Sequence, residues 1–267
     1  MMWPGHEVDV DGTSLFLRVT PGPADAEPAL LIHGLGGSSP NWTDFAAELS
    51  GHLAVEAIDL PGHGRSGPSP RSDYSLRAHA RAVIGYLEQS GRGPVHLVGN
   101  SMGGAVAIIV ASQRPDLVRT LTLISPAVPD TNKLRSHALR GDPRMALLIL
   151  PGLGGTAMRR MGGLPVERRV RATINLVFAD PKRYPPERLA EAISEAKARE
   201  QMPWANKAFL RSLRAIVRSQ FNAGGAWAAL RTVKAPTLVV WGDKDRLVSP
   251  ALAQAVADAV PDSRLLM

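Results

Sequence analysis

The chain has 267 residues, enough for one large domain or for a core carrying an inserted lid. It is 45% hydrophobic, ample for a sizeable buried core, and it has no cysteine, which excludes disulfides, thiolate metal sites and a cysteine nucleophile. The formal net charge of +7 is unevenly placed: residues 126–234 hold 20 Lys+Arg against 8 Asp+Glu, while the rest holds 11 against 16.

Residues 1–10 include Glu7 and Asp9 and lack an apolar run, so no signal peptide is read there and a cytoplasmic location is expected. Residues 6–10 and 15–20 read as two strands joined by a turn at Asp11-Gly12. Residues 29–32 form a short buried strand that ends in His33-Gly34-Leu35-Gly36-Gly37. A helix over 42–49 and a strand over 54–60 follow, the latter running into the loop Pro61-Gly62-His63-Gly64-Arg65-Ser66-Gly67. Residues 75–89 are an amphipathic helix with Leu76, Ala80, Val83, Ile84 and Leu87 on one side.

Next come a strand over 95–98, a helix over 102–113 and a strand over 119–124. Later, 237–241 is a strand, 250–260 a helix, and 263–267 the start of another strand. Buried strands alternating with helices predict a mostly parallel, doubly wound α/β sheet whose ligands bind at the carboxyl ends of the strands. The alternation stops between 127 and 233, where helical patterns such as 186–200 and 204–221 occur without strand signals. The predicted organisation is therefore a core of residues 1–126 and 234–267 with a helical cap, 127–233, inserted over the strand ends. Leu147, Leu148, Ile149, Leu150, Met158, Met161, Leu176, Val177, Phe178, Trp204 and Phe209 would line a pocket or pack the cap. The apolar run at 145–155 is too short to span a bilayer and contains Pro151.

The most informative segment is Gly99-Asn100-Ser101-Met102-Gly103, a Gly-x-Ser-x-Gly that follows a predicted strand and opens a predicted helix. The glycines leave room for a sharp strand-to-helix turn with a serine at its tip, and the helix start aims N–H groups at the same spot. No His/Asp/Glu cluster has metal-ligand spacing, and neither a Gly-x-Gly-x-x-Gly nor a Walker motif occurs. No metal and no cofactor are expected. The basic residues of the middle segment are interleaved with alanine and leucine rather than with stacking aromatics, so no nucleic-acid partner is expected. A solvated helical face is the preferred reading of that charge, over attraction to an anionic substrate or peripheral contact with an anionic membrane.

Four motifs in order, His33-Gly34-Leu35-Gly36-Gly37, Asp59-Leu60-Pro61-Gly62-His63-Gly64-Arg65-Ser66, Gly99-Asn100-Ser101-Met102-Gly103-Gly104 and Trp241-Gly242-Asp243-Lys244-Asp245, resemble the α/β-hydrolase superfamily, in particular its cap-bearing esterase, lipase and C–C hydrolase branches. The resemblance implies a serine hydrolase fold in which Ser101 is the nucleophile, the backbone N–H groups of Leu35 and Met102 form the oxyanion hole, and Asp245 is the triad acid. Asp243 is the nearby alternative, with Asp130 a less favoured substitute. The implied reaction is attack on a carboxylic ester with an apolar part, through an acyl-enzyme. C–C bond cleavage of a ring-cleavage ketone is the second reading.

The superfamily order is Ser, then Asp or Glu, then His. No histidine follows Asp245 in these 267 residues. The resemblance therefore implies that the chain stops inside its last core strand, short of the base, or that it is a ligand-binding form with impaired catalysis. His33 and His63 read as residues that hold turns near the site, His96 as a neighbour of the sheet core, and His6, His52 and His79 as peripheral; His137 falls in the predicted cap.

Overall fold

A computed structural model of the chain describes residues 3–130, 153–221 and 223–267. His137, Leu147, Leu148, Ile149 and Leu150 lie outside the described residues. Eight strands form one sheet: β1 (Gly5–Val10), β2 (Thr13–Val19), β3 (Glu27–Ile32), β4 (Leu53–Ile58), β5 (Val95–Asn100), β6 (Val118–Ile124), β7 (Thr237–Val240) and β8 (Ser263–Leu266), in the spatial order β1-β2-β4-β3-β5-β6-β7-β8. β1 and β2 form an antiparallel hairpin whose turn residues Asp11 and Gly12 take φ of 51° and 76°, the left-handed pair that a two-residue turn requires. β2 also meets β4 antiparallel, and every other pairing is parallel.

The described helices are α1 (Thr43–Leu49), α2 (Leu76–Ser90), α3 (Met102–Gln113), α4 (Leu153–Gly162), α5 (Val166–Val177), α6 (Pro186–Glu200), α7 (Ala205–Phe221), α8 (Ala223–Arg231) and α9 (Ala253–Ala259). Local signals set their ends. Ser75 caps α2 by accepting from Ala78 N–H at 3.2 Å, and Gly91 closes it at φ 60°. α6 opens on a proline, whose missing N–H costs nothing at a helix start.

Both sheet faces are covered. Leu30, Ile32, Ile58 and Leu97 join α2, α3 and α9 in the main core, while Ala29, Leu31, Val55, Ala57 and Val98 pack under Trp42 and Ala46 on the opposite face. Alternation along β3 thus divides one strand between two layers. Each fully buried leucine or isoleucine contributes about 1.5–3 kcal/mol relative to exposure. α3 is buried nearly all round, as a helix wedged against a central sheet must be. α5 and α6 are shallow by contrast: Ile174 is the single fully buried residue of α5, and α6 has none. α8 lies within the span 127–233, yet it contributes Trp227 and Leu230 to the main core.

The chain leaves β3 for β4 on one side and later returns to β5 on the other. The carboxyl ends of β3 and β5 therefore flank the point where the winding reverses, which is where open α/β sheets leave a crevice for ligands.

Candidate active site

Ser101 follows β5 at φ 52° and ψ −112°, and α3 begins at the next residue. A non-glycine residue in this region carries strain of about 1–3 kcal/mol and persists only where its surroundings fix it. Three main-chain bonds do so. Ser101 N–H donates to Ile124 C=O at 2.9 Å, and Ser101 C=O accepts from Ala105 and Ala127 N–H at 3.1 and 2.8 Å.

The glycines around it are obligatory. A Cβ at Gly99 would lie 2.4 Å from Gly103 O, and one at Gly103 would lie 2.2 Å from Ile32 O. Their absence lets the start of α3 settle against the ends of β5 and β3.

The loop after β3 closes over the same point. A Cβ built on Gly34 would stand 3.4 Å from Ser101 Cβ and 3.0 Å from Asn100 Oδ1. His33 fixes this loop from beneath: fully buried, it donates from Nδ1 to Gly34 C=O at 2.8 Å and accepts at Nε2 from Leu60 N–H at 3.1 Å. Burial lowers its pKa, so the ring is neutral and both nitrogens are engaged. The Leu35 and Met102 N–H groups donate to no described acceptor. One is in the Gly34-Gly36 loop and the other is the first helical residue after Ser101, so two donors without a described acceptor lie in the segments that flank the serine.

Asp245 follows β7, two strands from β5 at the same edge of the sheet. Its Oδ1 accepts from Leu247 and Val248 N–H at 2.8 and 2.9 Å, a turn that leaves Oδ2 without a partner among the described residues. Asp243 is exposed. Asp130 N–H donates to Gln220 Oε1 at 3.0 Å, in a segment that α8 also grips through Trp227 Nε1–H to Pro129 C=O.

The sequence pattern of the alpha/beta hydrolase fold matches residues 28–267. This chain belongs to the α/β-hydrolase fold family. Lipase 1 of Psychrobacter immobilis is 30% identical over 254 residues, covering 90% of this chain and 69% of the lipase. An uncharacterized protein of Mycobacterium tuberculosis is 34% identical over 250 residues, covering 91% and 69%. The haloalkane dehalogenase DbeA-M1 loop variant from Bradyrhizobium elkanii superposes with a TM-score of 0.79 at 23% identity, over 98% of this chain and 88% of that one, and this shared shape concerns the fold alone.

Within this α/β hydrolase no described histidine is hydrogen-bonded to Ser101, whose Oγ makes no hydrogen bond with a described residue. His33, His63 and His79 form a row, the first pair tilted and the second edge-on, with centroids 5.4 and 5.6 Å apart. His63 donates from Nδ1 to Pro61 C=O at 3.1 Å, which matches its expected turn-holding place. His79 corrects the sequence reading: it is not peripheral but fully buried, its Nε2 3.0 Å from Ser212 Oγ. His96 lies near the other end of β5, between Thr120 Oγ1 and Glu27 Oε2, each at 2.8 Å. His6 and His52 are exposed.

Beside the Leu35 loop, Met158, Phe209, Leu210, Leu213 and Val217 make an apolar cluster with Leu35 itself. Val177 and Phe178, expected among the residues that line a pocket or pack the cap, are instead exposed, with Phe178 resting edge-on against Tyr184 at 5.1 Å. Sequence reasoning missed Arg199, whose guanidinium lies against Phe209 beside Gly36. Its only advance signal was membership of a basic segment.

Proposed function

We propose that this protein is a serine hydrolase of carboxylic esters bearing an apolar part, with Ser101 as nucleophile. The observation that carries the reading is the Ser101 backbone at φ 52° on the tip between β5 and α3, flanked by the segments that carry the N–H groups of Leu35 and Met102, neither with a described acceptor. Attack by Ser101 Oγ on an ester carbonyl would form the Oγ–carbon bond. The carbonyl oxygen, taking the negative charge, would receive the two N–H donors before the alcohol leaves and water hydrolyses the acyl-enzyme. Helices α4–α7 form the cap, and its cluster around Leu35 receives the apolar part. Lipase 1 of Psychrobacter immobilis supports ester chemistry by its name.

One observation shapes the test: among the described residues no histidine is hydrogen-bonded to Ser101. A serine hydroxyl without a base is a weak nucleophile, and loss of a triad histidine has cost on the order of 10⁶ in turnover elsewhere. The test is p-nitrophenolate release from esters of graded chain length, with and without added imidazole, scored against Ser101→Ala. An imidazole-enhanced burst that Ser101→Ala abolishes is expected. Equal release by wild type and Ser101→Ala, with both folded, would refute the assignment.

A further inference from the structure

The cap brings Arg199 to the edge of the site with no counter-charge among the described residues. Arg199, the penultimate residue of α6, is partly buried, with its guanidinium carbon 5.3 Å from the Phe209 ring centroid. A Cβ built on Gly36 would stand 3.7 Å from Arg199 Nη1 and 3.1 Å from Phe209 Cε2. Arginine and phenylalanine thus rest on the loop that carries the Leu35 N–H. Gly36, at φ 73°, presents no side chain that would keep them off.

The neighbouring arginines are matched. Arg169 pairs with Glu200, Arg188 with Asp44 and Glu191, and Arg18 and Arg65 share Glu195. Arg199 forms no hydrogen bond or ion pair with a described residue. Burial lowers its pKa and Arg169 pushes the same way, with no acid opposing them, yet a guanidinium stays charged at neutral pH. The ring face offsets part of the desolvation and holds the planar group with its N–H edge available.

We propose that Arg199 binds an anionic oxygen group, a carboxylate or phosphate, on the substrate whose ester Ser101 attacks. This rests on the serine-hydrolase reading and narrows it to esters that carry a negative charge besides their apolar part. The guanidinium fork matches both anions through two parallel N–H···O bonds. Its position beside Gly36 puts that anion on the Leu35 side of the scissile carbonyl. The excess of cations across residues 126–234 draws such a substrate toward the cap.

The experiment reads binding, not turnover. Calorimetric titrations of the Ser101→Ala chain compare monomethyl glutarate, a butanoyl glycerol phosphate and uncharged methyl pentanoate. At least one charged ester should bind about tenfold or more tighter than the neutral one, in line with a charged hydrogen-bond pair. A preference for the glutarate identifies a carboxylate ligand, and a preference for the glycerol phosphate identifies a phosphate ligand. Arg199→Met should bring all three within about twofold, and Arg199→Lys, a point charge without the fork, should restore part of the difference. Equal binding of charged and neutral esters by the parent chain, or discrimination surviving in folded Arg199→Met, would overturn the proposal. Should Arg199→Met not fold, Arg199→Lys decides: undiminished discrimination there overturns it. Because the nucleophile is absent throughout, failure of the ester-hydrolysis assay would leave this result intact.

Discussion

His33, His63 and His79 are sealed from solvent in one row, and burial is the leading cause of the lowered pKa of each, with His79 brought to about 3. Their folded values lie below the roughly 6.5 of an exposed histidine, so between those values the unfolded chain binds more protons. The stability they confer is complete above about pH 6.5 and is lost as pH falls toward the folded values. Each can add a slope approaching about 1.4 kcal/mol per pH unit. Urea unfolding at about pH 7 and about pH 5.5 should show this loss, and His79→Gln, which keeps a partner for Ser212, should flatten the acid limb by about a third. An unchanged limb would mean that carboxylates elsewhere dominate. A second test at this scale concerns Gly103. A methyl there meets the Ile32 and His33 carbonyls at 2.2 and 2.6 Å, and backbone cannot step aside as a side-chain tip can. Gly103→Ala should cost about 1–3 kcal/mol or more by urea unfolding; a neutral effect would show that the elbow is looser than its geometry.

Helix α8 offers the converse case. Gly224 and Gly225 are exposed in its first half, and a Cβ on either would meet nothing within 4 Å. Gly225→Ala should therefore stabilise the protein by about 0.5–1 kcal/mol, the ordinary gain of alanine over glycine within a helix. Thermal unfolding at matched pH checks it, and a destabilised variant would indicate a contact on that face. The contrast between Gly103 and Gly225 also explains what was legible beforehand. The turn at Ser101 is a local device, with glycine, serine and glycine between a strand and a helix, so neighbouring letters specify it. So is the hairpin at Asp11-Gly12. His79 was misread because its burial depends on Ser212 of α7, 133 positions away. Arg199 was missed because it matters only once α6 returns to lie beside Gly36. Val177 and Phe178 were assigned to the cap's pocket or packing by composition, which says nothing about which side of α5 faces outward. Local chemistry marked Ser101 and the N–H groups proposed beside it, whereas the charge and shape around them arise from contacts between distant segments.

Across the whole molecule, the helices between 153 and 231 are joined to the sheet layers in different ways. α8 enters the main core through Trp227 and Leu230, an apolar attachment indifferent to salt. α6 is tied by charge: Arg188 donates from Nε to both Asp44 oxygens at 3.0 and 3.1 Å, and Glu195 lies 3.5 Å from Arg18 of β2 and 3.9 Å from Arg65. α7 adds Lys207 Nζ to Ser72 Oγ at 3.0 Å. Behind these pairs stands the wider asymmetry of a basic 126–234 segment and an acidic remainder. The Arg188–Asp44 and Arg65–Glu195 pairs, each with one partner open to solvent, are worth at most about 1 kcal/mol each and weaken as the screening length shrinks to a few ångströms toward molar salt, whereas the buried Arg18 is screened less. Raising ionic strength from about 0.05 to about 0.5 M should therefore speed amide exchange in α6 several-fold while leaving β5 and α3 unchanged. Arg188→Ala should give part of the same acceleration at low salt. The apolar contacts of Leu35 with Leu210 and Leu213 pull the other way, since salt does not weaken them. If α6 exchanges at one rate at both salts, that apolar patch, rather than the ion pairs, holds the helices of the proposed cap in place, and a substrate entering by that route would have to part leucines rather than charges.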